Sequence, residues 1–157
     1  MLDWLKSVVM PPEPTGPPEC FKRFSLEEEP IAAEGFCIEG DAWCFDCPGE
    51  TPVRLFEIDE PGVENCLLTY RADLKTENAA GKVYLEMWCR FPGRGEFFSK
   101  GADQALKGTS DWSSVEIPFF LKAGQRPDLI KLNLAAEGEA RVWVRNLQLL
   151  KTSYEHQ

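Results

Sequence analysis

The sequence predicts an all-β fold, a two-sheet antiparallel β-sandwich of the jelly-roll type, and three observations carry that expectation. Apolar and polar residues alternate along residues 66–74, 83–91, 115–121, 130–134 and 142–144, the period-2 pattern of strands with one buried face. Turn-forming clusters such as Pro61-Gly62 and Pro92-Gly93-Arg94-Gly95 separate the runs, because Gly and Pro supply the backbone angles that tight turns need. No long helical periodicity follows the first ten residues, which argues against any layout that alternates strands with helices.

The elements follow in order. Leu2, Leu5, Val8 and Val9 fall near one helical face with Trp4 beside them, so a short amphipathic helix packing on the body is expected first. Pro11-Pro12-Glu13-Pro14-Thr15-Gly16-Pro17-Pro18 is then an extended tether, and residues 1–19 form this leading segment. The sandwich is expected over residues 20–152, with 153–157 a disordered tail. Within it, residues 21–26, 42–46 and 53–58 are weaker strand candidates, and Glu27-Glu28-Glu29-Pro30 reads as a solvated turn.

Beyond Pro61-Gly62 the pattern sharpens. Cys66, Leu68, Tyr70, Ala72 and Leu74 share one face of a strand, and Thr69, Arg71 and Asp73 the other. Asn78-Ala79-Ala80-Gly81 is expected to break the chain. Val83, Leu85, Met87, Cys89 and Phe91 then point inward, opposite Tyr84, Glu86, Trp88 and Arg90. Phe97-Phe98 suggests a short edge strand, and Pro118 inside the run 115–121 marks an edge or a bulge. Trp112 is expected to cap one end of the sandwich, with Asp111 satisfying turn amides.

The chain has 157 residues, about one domain, with 43% hydrophobic and 27% charged residues, an ordinary globular balance. Its net charge of -9 repels phosphate backbones and anionic lipid, so nucleic acid is not an expected partner. The first residues are too short and polar a stretch to span a bilayer and lack the pattern of a secretory signal, so no membrane span and a cytoplasmic location are expected. Cysteines stand at 20, 37, 44, 47, 66 and 89. Cys44-Phe45-Asp46-Cys47 with Cys37 has no second matched pair and no histidine nearby, so buried or idle thiols are expected rather than a metal site or a redox pair. No cofactor is expected.

The two long strands, the Gly-Arg-Gly turn, Gly108-Thr109-Ser110-Asp111-Trp112, Ile117-Pro118-Phe119 and the closing Val142-Trp143-Val144-Arg145-Asn146-Leu147-Gln148-Leu149 together resemble the galactose-binding-like jelly-roll superfamily, which includes carbohydrate-binding modules. The resemblance covers roughly residues 64–151 and implies fold more than function, since this architecture hosts many activities. Arg145 stands where an Asp is frequent in the closing motif, a departure that weakens transfer of a calcium or polar-network role.

An enzymatic reading lacks its parts. His156 is the one histidine and is nearly terminal, which leaves a Ser or Cys nucleophile without a base, and no phosphate-cradling loop follows a strand. Glu86 could pair with Glu116 or Asp73 for acid/base work, but in a chain with 26 acidic residues such adjacency arises by chance. The chain is therefore expected not to be an enzyme. Two clusters suit binding instead: Tyr84, Glu86, Trp88 and Arg90, and Arg141, Trp143 and Arg145. In each, an aromatic face can cover the apolar side of a pyranose while charged groups meet hydroxyls. The leading expectation is a non-catalytic module for a carbohydrate or a similarly hydroxylated ligand. The alternative is a structural or protein-interaction domain of a larger assembly, in which these aromatics cover neighbouring surface or stack on guanidinium groups.

Overall fold

Nine strands make up most of the described chain, which comprises residues 16–32, 36–49 and 51–154 of a computed structural model. They are β1 (Glu19–Arg23), β2 (Phe36–Glu39), β3 (Ala42–Cys47), β4 (Val53–Asp59), β5 (Cys66–Phe91), β6 (Gly95–Lys100), β7 (Leu106–Leu121), β8 (Leu129–Ala136) and β9 (Ala140–Ser153). A 3-10 turn at Ala102–Gln104 joins β6 to β7. The expected helix and most of the proline tether fall on residues 1–15, outside the described residues.

Antiparallel pairing sorts the strands into two layers, so the fold is the all-β sandwich. In the first, β2 pairs with β3 and β3 with β9, while β1 continues the same edge of β9. The early half of β5 lies between β9 and β7. In the second layer the order is β4, β8, the late half of β5, then β6. Pro118 sits on β7, which pairs only with β5 among the described strands, so its missing amide interrupts no ladder.

One chain segment builds both layers. In the early half of β5 the even-numbered residues Cys66, Leu68, Tyr70, Ala72 and Leu74 are buried; in the late half the odd-numbered Val83, Leu85, Met87, Cys89 and Phe91 are. Because side chains alternate strictly along a strand, this change of parity demands extra residues in the ladder. The register against β7 slips three times between Leu74 and Val83, and Asn78 adopts a φ of 52°. Its amide is held by Thr109 Oγ1 at 3.1 Å. Asn78 to Gly81 therefore does not break the chain, as the turn-like composition led us to expect. It is a bend in a continuous strand, stitched to the β8–β9 turn by Ala80 N–H to the Glu139 carbonyl and Glu137 N–H to the Lys82 carbonyl.

The inward residues meet in one core. Trp43, Tyr70, Leu74, Leu85, Met87, Leu132 and Leu147 are among its largest fully buried members, each contributing about 1.5–3 kcal/mol by leaving water. Tyr70 spans the layers, donating its hydroxyl to the Asn133 carbonyl on β8 at 3.2 Å.

Several boundaries differ from expectation. The stretch 109–114 belongs to a 16-residue β7 rather than to a turn, and Trp112 lies on that strand instead of capping an end. Asp111 still accepts the Trp112 amide, at 2.8 Å. The β2 strand carries no strong alternation. It exists because Gly40-Asp41, with Gly40 at a φ of 62°, closes a two-residue hairpin onto β3. β9 extends through Ser153, and Tyr154 is buried, so the ordered body passes residue 152.

Candidate functional site

The outward face of the second layer places four strands of polar and aromatic side chains side by side. Register across β4, β8, β5 and β6 aligns Arg54, Asn133, Glu86 and Lys100 in one row, and Glu57, Lys131, Trp88 and Phe98 in the next. Arg54, Asn133, Glu86, Lys100, Lys131 and Trp88 from these rows, with Glu96 of β6 and with Thr51 and Pro52 from the segment leading into β4, line a cleft of about 530 Å³. Thr51 and Pro52 thus form a wall of the cleft.

Glu86 is the pivot. It is 3% exposed, and its Oε1 accepts from the Trp88 indole N–H at 2.8 Å and from the Asn133 amide at 3.1 Å. Lys100 Nζ lies 3.7 Å from the other oxygen. A buried carboxylate satisfied in this way is tolerated, whereas an unpaired one is costly. Trp88, half-buried, is held with its ring against Phe98, the centroids 5.1 Å apart and the planes tilted by 50°. Phe98 is 54% exposed. The remaining charges are paired within the face: Lys131 with Glu96 at 2.8 Å and Arg54 with Glu57 at 2.6 Å. The cleft is therefore rich in donors and acceptors without a strong excess of either charge.

On the far side of the same aromatic pair, Trp88, Phe97, Phe98, Pro118, Phe119 and Phe120 line a second depression of about 560 Å³. Trp88 borders both.

No protein-family model and no curated protein sequence matches the chain. Solved structures do. One is the CBM22-1 xylan-binding domain of Xyn10C from Paenibacillus barcinonensis, at 10% identity over 90% of this chain and 99% of that one, with a TM-score of 0.55. Another is the CBM22-1–GH10 pair of modules of Xyn10B from Clostridium thermocellum, complexed with xylohexaose, at 7% identity over 88% of this chain and 29% of that one, with a TM-score of 0.51. The chain has the β-sandwich fold of carbohydrate-binding modules.

Within that module fold the two candidate clusters occupy different layers. Glu86 and Trp88 stand inside the cleft. Tyr84 shares their face but is buried, its hydroxyl donating to Glu137 at 3.1 Å; burial, then this carboxylate, raises its pKa. Arg90 lies toward the opposite end of the strand, paired with Asp128 at 2.9 Å, which raises the guanidinium further above neutrality.

Arg141, Trp143 and Arg145 project from the first layer, and each is engaged by neighbours. Arg141 pairs with Asp46 at 2.9 Å, and Trp143 donates to Glu39 at 2.7 Å with the Lys75 ammonium 5.2 Å from its ring. Arg145 stacks over the Trp112 ring at 3.9 Å while reaching Asp73 and Asp41. Burial alone would raise the Asp73 carboxyl, but hydrogen bonds from Ser114 and Asn146, with the Arg145 guanidinium beside them, outweigh it and hold it below the usual range. Asn146, at a φ of 54°, is the extra residue where the register slips between Arg71 and Asp73, a backbone state that Asn accepts more readily than most residues. Here Arg145 and Asn146 of the closing motif serve a bulge anchored on Asp73.

The acid/base pairings considered from sequence do not form. Glu86 faces out from the second layer; Asp73 and Glu116 face out from the first, Glu116 bound to Arg71 at 2.8 Å. Sequence reasoning missed Asn133, Lys131, Lys100 and Arg54 as cleft residues. Alternation marks Lys131 and Asn133 as outward, but only strand register brings them beside Glu86 and Trp88.

Proposed function

We propose that the module is non-catalytic and binds an uncharged, hydroxylated glycan along the cleft of the second layer, with Trp88 and Phe98 as the stacking platform and Glu86, Asn133, Lys131 and Lys100 as the hydroxyl-binding groups. The observation that carries this reading is the aromatic pair standing at the edge of a cleft whose charged groups are mutually paired. A pyranose offers one apolar face for a ring and a rim of hydroxyls that both donate and accept, which matches such a lining. Arg54, Lys100 and Lys131 are each engaged by a carboxylate, Glu57, Glu86 and Glu96 respectively, so a strongly anionic ligand would have to compete for them. The likeness to modules described as xylan-binding and as complexed with xylohexaose makes xylan the first probe.

Affinity electrophoresis in gels containing xylan, mannan or β-glucan tests the reading, with a broad glycan array beside it. Retardation is expected with at least one neutral polysaccharide, and Trp88→Ala should weaken it by at least ~1 kcal/mol, about fivefold, at unchanged folding. Absence of retention across the array would sink the proposal.

The apolar depression favours a second reading, a protein-interaction module. Its lining is mostly aromatic, with Glu96 and Ser99 as its polar side chains, and suits an apolar side chain of a partner. Phe120→Ala separates the two: it should leave glycan retention intact and abolish a protein contact if one exists.

A further inference from the structure

The β2–β3 hairpin sets a second kind of chemistry on the first layer. Cys37 and Cys44 are directly opposed across the hairpin, and Glu39 lies two residues beyond Cys37, hence on the same face of the strand. One donor atom from each of the three side chains falls within 4.8 Å of the others. The sequence suggested the closer pair, Cys44 and Cys47, but three residues along a strand reverse the side-chain direction. Cys47 is buried in the core with Trp43 and Phe45, while Cys44 faces Cys37.

We propose that Cys37, Glu39 and Cys44 form a binding site for one thiophilic divalent ion of the zinc class, with the fourth position left to water. Two sulfur donors and one carboxylate suit Zn²⁺ and exclude the hard ions Mg²⁺ and Ca²⁺, which take oxygen ligands. Tetrahedral bonds of about 2.3 Å to sulfur and about 2.0–2.2 Å to oxygen place donor atoms roughly 3.5–3.8 Å apart. A contraction of about 1 Å from the observed upper spacing satisfies this, and rotation of the cysteine and glutamate side chains between staggered rotamers supplies it without moving the paired strands. The thiols bind as thiolates and release their protons to solvent.

The surroundings support the geometry. Trp143 donates its indole N–H to Glu39 Oε2 at 2.7 Å, aiming the carboxylate as outer partners of metal ligands do; Trp143 is thus a positioning residue. Arg141 lines the same depression and Lys75 sits over the Trp143 ring, and these cations offset the net negative charge that two thiolates and a carboxylate leave on a divalent ion. Cys37, Glu39, Cys44, Asp46 and Arg141 line a depression of about 240 Å³ that opens to solvent, giving the ion an entry path. Asp46 is committed to Arg141 at 2.9 Å, which leaves the fourth position open.

The test is a titration of the reduced full chain with Co²⁺ and with Zn²⁺. Co²⁺ should saturate at one equivalent with a thiolate-to-cobalt charge-transfer band, and Zn²⁺ should displace it. Cys37→Ser and Cys44→Ser should each lose the band and weaken Zn²⁺ binding at least tenfold, whereas Glu39→Gln should keep a thiolate band with weaker affinity. Trp143→Phe should weaken binding while sparing the band. Cys20→Ser and His156→Ala, which alter donors outside the set, should change nothing. Cys37 is exposed, so Cys37→Ser keeps the test decisive even if Cys44→Ser misfolds. No charge-transfer band in reduced protein, binding unchanged by Cys37→Ser, or a Cys37–Cys44 disulfide that forms in air while the reduced form ignores Zn²⁺ would each overturn the proposal.

Discussion

Trp88 donates its indole N–H to Glu86, two residues earlier on the same strand, at 2.8 Å. The carboxylate that fixes the aromatic ring is itself fixed from the next strand by Asn133. Ring orientation in the cleft therefore depends on a buried polar cluster as well as on packing. Glu86→Ala should unpair two donors and lower unfolding stability by about 1–3 kcal/mol, measured by urea denaturation. Glu86→Gln, which keeps one acceptor oxygen, should lose less than Glu86→Ala. Equal losses would mean that the hydrogen bonds do not organise the site.

Phe98 separates binding from stability. At 54% exposed it contributes little to the core, so Phe98→Ala should change unfolding stability by no more than about 0.5 kcal/mol. Its loss should nevertheless reduce glycan retention, by about 0.5–1 kcal/mol, because the ring forms half of the stacking platform. A large fall in thermal midpoint with retention intact would place Phe98 among structural residues.

Asp73 gives the pH dependence a sign. Its hydrogen bonds from Ser114 and Asn146 and the adjacent Arg145 guanidinium hold the folded pKa below the usual value, against the opposing effect of burial. The stability it contributes is therefore present above the unfolded pKa of about 3.9 and is lost as pH falls through the lower folded value. Wild type should exceed Asp73→Asn in urea midpoint at neutral pH, and the gap should close below about pH 4. A gap that stays constant down to acid pH would refute the assignment.

Gly49 marks a close approach of two segments, the loop before β4 and the β8–β9 turn. It has a φ of 87°, and a Cβ there would lie 2.4 Å from the Gly138 carbonyl carbon, a backbone atom that cannot rotate away. Gly49→Ala should cost more than about 2 kcal/mol from strain and overlap together. Thermal and urea unfolding both read this, and a near-neutral result would mean that the loop before β4 can move off the β8–β9 turn.

How much of this was legible in the chain follows from the range of each interaction. The buried faces of β5, at Cys66 to Leu74 and Val83 to Phe91, were readable because alternation is a local property of neighbouring residues. Pro118 marked an edge for the equally local reason that it lacks an amide hydrogen. The turn-like Asn78-Ala79-Ala80-Gly81 misled because those residues suit a bulge as well as a turn, and only pairing with β7 and the β8–β9 turn distinguishes the two. The weak β2 strand was invisible for a similar reason: its partner β3 supplies the order that its own sequence does not.

The sequence by itself determined the all-β class, the inward and outward faces of the longest strands, and the pairing of an aromatic with charged groups at residues 84–90. Tertiary structure alone decided that Glu86 and Trp88 share a cleft with Asn133, Lys131 and Lys100, that Arg141, Trp143 and Arg145 stand on the other layer, and that Cys44 faces Cys37 and Glu39 instead of Cys47. The physical reason is register. Side-chain direction follows from a period of two within one strand, but which side chains become neighbours depends on how distant strands align. A slip of one residue in that alignment would exchange every outward group for an inward one.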